Sequence, residues 1–294
     1  MTTLASQPTN RSDREPAITP LRADCVADSA GGLTFDLPDS GESGPAHLVL
    51  YLRGTEEEVR LPLTPVADGR LRAALPSGVD LPEGRWDAYV QVADGEPRRL
   101  TPGLNDLRAL VDRAPAPTAA RVVVRLPYGT KHGNLSVRSW ERSPHAEAGE
   151  LHIGEGELTV SVKAYGVEPT PDAYVELVRR EEQYAQEEPY AQEKPYAQEE
   201  TSPAVRAELA GEQGVFHFTV AYGALGPGTW ELWLRPEGEA GPRVRIARLL
   251  DDIVEKTPVF MYPKARVETE RGPVEATAHY TADNDLSVTV TAVS

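Results

Sequence analysis

Residues 81–91 read LPEGRWDAYVQ, and residues 225–235 read LGPGTWELWLR. A Leu, a Gly and a Trp recur in matching places, 144 positions apart. A phrase carried twice points to one folding unit used twice. Further segments match in the same order. LTFDL (33–37) corresponds to LTVSV (158–162), and HLVLYLR (47–53) to AYVELVR (173–179) at a shift of 126. GRLRAAL (69–75) corresponds to GVFHFTV (214–220) at a shift of 145. LRALVDRAP (107–115) matches LDDIVEKTP (250–258), and YGTKHGNLSV (128–137) matches YTADNDLSV (280–288). Internal duplication is the economical explanation.

The matched segments alternate with a period of two. Leu71, Ala73 and Leu75 share one face, as do Phe216, Phe218, Val220 and Tyr222. Leu158, Val160, Val162 and Ala164 form a third such set, and Leu286, Val288 and Val290 a fourth. Alternation of this kind predicts half-buried strands. Turn phrases such as DSAGG, PDSGESGP, KHGN and ADND separate them. Only LRALVDR and LLDDIVEK carry helical spacing, and each is short. The expectation is therefore an all-β chain: two tandem immunoglobulin-like β-sandwich domains from an internal duplication, each of seven or eight antiparallel strands. Residues 21–142 form the first and residues 143–294 the second, after a disordered tail at 1–20. Arg22–Val26 and Leu151–Ile153 open the two domains, and Ser143–Glu157 bridges them.

The same period places Trp86, Ala88, Val90 and Val92 on one face, and Trp230, Leu232 and Leu234 on the equivalent face. Trp86 and Trp230 are predicted to anchor two separate cores. Burying such a ring removes on the order of 150–250 Å² from water. Tyr89 and Trp233 alternate against them and are predicted to point outward. They are the candidate ligand- or partner-binding residues, unless a neighbouring strand or loop covers them.

The second unit is longer because of YAQEEPYAQEKPYAQEE, residues 184–200, a six-residue phrase repeated nearly three times. It lies in a low-complexity loop at 181–203. From Glu181 to Glu200 there are seven Glu and one Lys. Such a tract reads as a solvated insertion, because closing a longer loop costs only logarithmically more.

The net charge of −16 opposes nucleic acid and anionic membrane as partners. With one cysteine, Cys25, no intrachain disulfide forms, which suits a reducing compartment. No stretch approaches the roughly 18 apolar residues of a spanning helix, so no membrane insertion and a cytoplasmic location are expected. The six histidines form no HExxH pattern, and neither a metal, a cofactor nor a catalytic set is predicted. Asp283 and Asp285 in ADND read as a plain hairpin turn rather than a calcium loop. Asp251 and Asp252 read as the solvated face of a short helix.

Several phrases carry a resemblance: LPEGRWDAYV, TPGLNDLRALVDR, YGTKHGNLSVRSW, SPHAEAGEL and GEAGPRVRIARLLDDI. With these the chain resembles actinobacterial proteins labelled "transferase" and the β-rich accessory domains of wall-polymer glycosyltransferases. The resemblance implies a link to cell-surface glycopolymer assembly. It transfers no catalytic residue, since none of the phrases is a catalytic motif. Three functions follow as expectations. The first is a non-catalytic accessory or interaction protein with a protein partner. The second is a carbohydrate-binding module with Tyr89 and Trp233 stacking on a glycan. The third is a transferase.

Overall fold

The computed structural model describes residues 21–111, 113–116, 120–180, 204–212 and 214–293. The tail at 1–20 and the acidic loop at 181–203 lie outside the described residues. The chain is nearly all-β, and its strands fall into two hydrogen-bonded sets. Every strand of the first set precedes Ser143, and every strand of the second follows it.

The first set runs β1 (Arg22–Ala27), β2 (Leu33–Pro38), β3 (Ala46–Leu52), β4 (Glu58–Val66), β5 (Arg70–Leu75), β6 (Gly84–Val92), β7 (Arg98–Arg99), β8 (Thr101–Asp106), β9 (Val122–Gly129) and β10 (Leu135–Arg142). β1, β2 and β5 pair antiparallel in one layer; β3, β6, β10 and β9 pair in the other. β4 joins the layers, pairing with β3 through Glu58–Leu63 and with β5 through Thr64–Val66. The second set runs β11 (His145–Ile153), β12 (Glu157–Tyr165), β13 (Tyr174–Arg179), β14 (Val205–Glu208), β15 (Ala210–Glu212), β16 (Val215–Ala221), β17 (Gly228–Arg235), β18 (Val244–Ala247), β19 (Ala265–Thr269), β20 (Gly272–Tyr280) and β21 (Leu286–Ala292).

The second set repeats the pairings of the first. Leu33 faces Leu75 as Leu158 faces Val220. Val137 faces Trp86 as Val288 faces Trp230. Tyr89 faces Arg99 as Trp233 faces Arg245. One expected alignment is corrected by this register. Leu52 faces Trp86 and Arg179 faces Trp230, so β3 and β13 correspond at a shift of 127 rather than 126. Side chains alternate faces along a strand, and a one-residue slip would put Leu48 and Leu50 opposite the wrong partners. At the corrected shift the buried pair Leu48 and Leu50 matches the buried pair Val175 and Leu177.

Three further expectations need correction. The strands are not all antiparallel: β8 runs parallel to β1, and β18 parallel to β11. Residues 145–153 form a strand rather than a bridge. Ala146 and Ala148 point into the core, and a register shift between Ala148 and Leu151 absorbs the Gly149–Glu150 step. The helical spacing of LLDDIVEK does not produce a helix; residues 250–256 are bends and irregular chain. LRALVDR keeps a single 3-10 turn at Arg108–Leu110.

Each set encloses an apolar cluster, and the two tryptophans sit in different ones. Trp86 is 1% exposed and Trp230 is 4% exposed. Each indole N–H donates to the carbonyl four residues earlier, Trp86 to Pro82 O at 3.0 Å and Trp230 to Gly226 O at 2.9 Å. The turn before each strand thereby satisfies the one polar atom the ring carries into the core. The first cluster also takes in Tyr165, Ala247 and Leu249 from beyond Ser143. The two sets therefore share a buried apolar junction.

Candidate functional site

Tyr89 lies on the outward face of β6, half-buried. The Tyr51 ring meets it edge to face at 5.3 Å and 82°. The Arg99 guanidinium covers it at 4.8 Å from the ring centroid. Arg99 arrives there because β7 pairs with β6 at that position. Next to Tyr89 on the same face is Asp87, the hub of a polar cluster. Arg53 Nη2 and Arg99 Nη2 each donate to Asp87 Oδ1 at 2.7 Å, and Ser136 Oγ donates to the same oxygen at 2.8 Å. Burial pulls the Asp87 carboxyl upward, but Arg53, Ser136 and Arg99 together outweigh it and hold the group below the ordinary carboxylate range.

The second set builds the same arrangement. Trp233 faces outward on β17, with Arg243 at 4.8 Å and Arg245 at 5.0 Å from its ring centroid. Arg245 Nη1 lies 3.2 Å from Glu231 Oε2, and Arg245 Nη2 donates to Ser287 Oγ at 3.3 Å. Arg180 Nε lies 3.5 Å from Glu231 Oε1. Arg53, Asp87, Tyr89, Arg99 and Ser136 thus correspond to Arg180, Glu231, Trp233, Arg245 and Ser287. The backbone agrees: Arg53 N donates to Arg85 O and Arg180 N to Thr229 O, at 3.0 and 2.7 Å.

Among their differences, one concerns the charge on the second arginine. In the second, Arg245 Nε also reaches Asp285 Oδ2 at 3.4 Å. Asp285 closes a turn in which Thr281 N donates to Asp285 O at 2.9 Å, and Asp285 N donates to Thr281 Oγ1 at 3.2 Å. In the first copy the turn has the same bonds, Thr130 N to Asn134 O at 2.8 Å and Asn134 N to Thr130 Oγ1 at 3.2 Å. Asn134 therefore stands where the second copy has the Asp285 carboxylate.

The 281–285 turn is also where the two sets of strands meet. Arg138 Nη2 donates to Asp283 Oδ1 at 2.6 Å, and Trp140 Nε1 donates to Asp283 O at 3.2 Å. Arg142 is held by Glu83 through two bonds of 2.8 Å and lies 3.5 Å from Asp285. The expected hairpin turn is present between β20 and β21, and Asp283 and Asp285 in it also grip the preceding strand set. A second polar knot lies beside it. Glu147 accepts from the amides of Leu249 and Leu250 and pairs with His145 at 2.7 Å. Lys256, with no exposed side-chain surface, donates to Asp251 Oδ1 at 2.6 Å and to Ile253 O at 2.8 Å. Arg248 Nε donates to Asp251 Oδ2 at 3.0 Å. Asp251 is thus an internal counter-ion, not part of a solvated helix face. Burial drives the Lys256 ammonium below its ordinary range against the pull of Asp251.

Both outward aromatics stand off the core, and both are partly roofed by arginines rather than bare. The sequence reading singled out Tyr89 and Trp233 but missed their cluster. The only available signal was the recurrence of Arg, acid and Ser at matching offsets, which needed the corrected 127 shift. Among the described residues, no group of three or more His, Cys, Asp or Glu is arranged to hold a metal. Open grooves of about 670 and 510 Å³ lie elsewhere, beside β19 and beside the Gly223–Pro227 turn.

No protein-family model and no curated protein matches the chain. Among solved structures, a pullulanase from Anoxybacillus sp. LM18-11 complexed with maltotriose is similar over 72% of this chain and 24% of its own, at 10% identity and a TM-score of 0.24. The FN1–FN3 domains of chicken CNTN1 match over 77% of this chain and 61% of theirs, at 10% identity and a TM-score of 0.20. A chimeric titin Z1Z2 matches over 78% and 93%, at 15% identity and a TM-score of 0.18. The chain thus spans about a quarter of the pullulanase.

Proposed function

We propose that this chain is a non-catalytic interaction protein made of two immunoglobulin-like sandwiches, 21–142 and 143–294, descended from one duplicated unit. The first sandwich presents the outward face of β3 and β6 to a protein partner. One observation carries the reading. The Arg–acid–Ser–Arg–aromatic arrangement occurs twice, and the second, through Asp285, adjoins the junction between the two strand sets of the chain. The first cluster brings the matching residue types together, with Arg53 exposed and Asp87, Tyr89 and Arg99 half-buried. The expected partner class, by the resemblance of the sequence, is machinery of cell-surface glycopolymer assembly, and a single buried thiol is compatible with work in the cytoplasm.

A glycan-stacking role is less well supported. Tyr51 and Tyr89 meet edge to face, so they form no shared flat platform, and the Trp233 ring is occupied by two guanidinium groups. Affinity capture with the full chain and with a Tyr89→Ala, Arg53→Gln double variant tests the proposal. A protein retained by the wild type and lost from the variant is expected. The same retained set on both, or nothing above background, overturns it.

A further inference from the structure

We propose that the Arg53–Arg99 cluster binds a carboxylate side chain from an acidic segment of a partner protein. The inference rests on the interaction reading above and names the partner's chemistry. In the second copy, Arg180 and Arg245 stand with Glu231 and Asp285, and Arg142 also lies 3.5 Å from Asp285. In the first copy, Arg53 and Arg99 share a single carboxylate oxygen, Asp87 Oδ1, at 2.7 Å each. The position of the second carboxylate is taken by neutral Asn134. The first cluster thus holds two guanidinium groups on one carboxylate.

The surroundings add positive charge. Arg85 follows on the same face of β6 and has no ion-pair partner among the described residues. It lies close enough to Arg138 to oppose that residue's charge. Tyr128 stands near both Arg53 and Arg138. Arg85 thus adds a cation to the strand face that carries Asp87 and Tyr89, on a chain whose net charge is −16. Guanidinium groups favour carboxylates through charge-assisted paired bonds. Arg53 keeps 42% of its side chain exposed and can turn toward an incoming acid. The edge-to-face tyrosines beside it suit a peptide backbone and side chains better than a sugar ring. The internal occupant of the matching position, Asp285, is itself a peptide carboxylate.

The test is calorimetric titration of the full chain with acetyl-tetraglutamate amide at low salt. Acetyl-tetraglutamine amide serves as control, and an oligogalacturonate as the sugar-borne carboxylate. The expected result is peptide binding that weakens with added salt, no binding of the glutamine peptide, and weaker binding of the oligogalacturonate. Arg53→Gln, at an exposed position, and Arg99→Gln should each weaken binding by about tenfold or more. Asn134→Asp should supply the missing acid internally, weaken binding similarly and leave the thermal transition no lower. Arg180→Gln, in the filled copy, should leave binding unchanged. Failure of the wild type to bind the peptide, equal binding by Arg53→Gln and Asn134→Asp, or preference for the oligogalacturonate would each overturn the assignment. A partner still captured through Tyr89 while the peptide is ignored would overturn this inference alone and leave the interaction reading standing.

Discussion

Trp140 donates its indole N–H to the carbonyl oxygen of Asp283 at 3.2 Å, across 143 residues of sequence. The ring has no exposed surface. It lies on the face of β10 opposite Val137, so two elements from distant parts of the chain are needed to bury one strand on both sides. Arg138 stacks on the same ring at 4.8 Å and pairs with the Asp283 side chain. One turn thus supplies an acceptor to an indole and another to a guanidinium at the junction.

Asp283→Ala removes the partner of Arg138, whose side chain is 8% exposed. A largely buried charge left without its acid is expected to cost about 1–3 kcal/mol, toward the lower end because Asp283 itself is 58% exposed. The main-chain bond to Trp140 survives the change. Urea unfolding should show a lower midpoint. An unchanged midpoint would mean that the pair adds nothing to the junction.

Trp86→Ala and Trp230→Ala should each destabilise by about 3–5 kcal/mol. They belong to separate apolar clusters, so their effects should add. Trp→Phe at either site keeps most of the packing but leaves Pro82 O or Gly226 O without its donor, and should cost less than Ala. Denaturant titration of the single and double variants measures all three.

Stability should fall in acid through three aspartates. A backbone bond from Leu104 and then Arg70 hold the Asp24 carboxyl below its ordinary 3.8 against burial, and Arg72 does the same for Asp36. Asp87 is also lowered, as above. Each binds a proton less readily when folded than when unfolded. Their contribution is therefore complete above about pH 4 and is lost as pH falls through the lower folded values. Asp36→Asn should flatten this acid limb in thermal melts taken from about pH 5 to pH 2. An acid limb as steep as wild type would show that Asp36 does not contribute.

Cys25 is buried on β1, and burial, with Asp24 and Asp36 nearby, pushes its thiol up to about 12. The thiolate is the reactive form. Native protein at neutral pH should therefore react with iodoacetamide far more slowly than protein in urea. Comparable rates would place the thiol outside the core.

Much of the strand pattern was legible because alternation in LRAAL or VFHFTVAY needs nothing beyond local chemistry. The errors fall where tertiary context supplied the partner. HAEAG looked like a linker because its core positions are small alanines and its other face carries His145 and Glu147. His145 is buried and Glu147 largely covered, and the Leu249 and Leu250 amides come to meet Glu147. LLDDIVEK has helical spacing, yet Asp251 is drawn to Lys256 and Arg248, and the chain follows those bonds. The outward position of Tyr89 and Trp233 could be read from period two, whereas the arginines that roof them arrive from separate strands.

Sequence alone determined the period-two faces, the two tryptophan anchors and the order in which matching segments recur, since all three depend on neighbours a few residues away. The tertiary structure decided the 127 register, the parallel edges, the junction at Asp283 and the sharing of Asp87 by Arg53 and Arg99. Each of these is a relation between residues tens to hundreds of positions apart, and only folding sets the distance over which their hydrogen bonds and charges act.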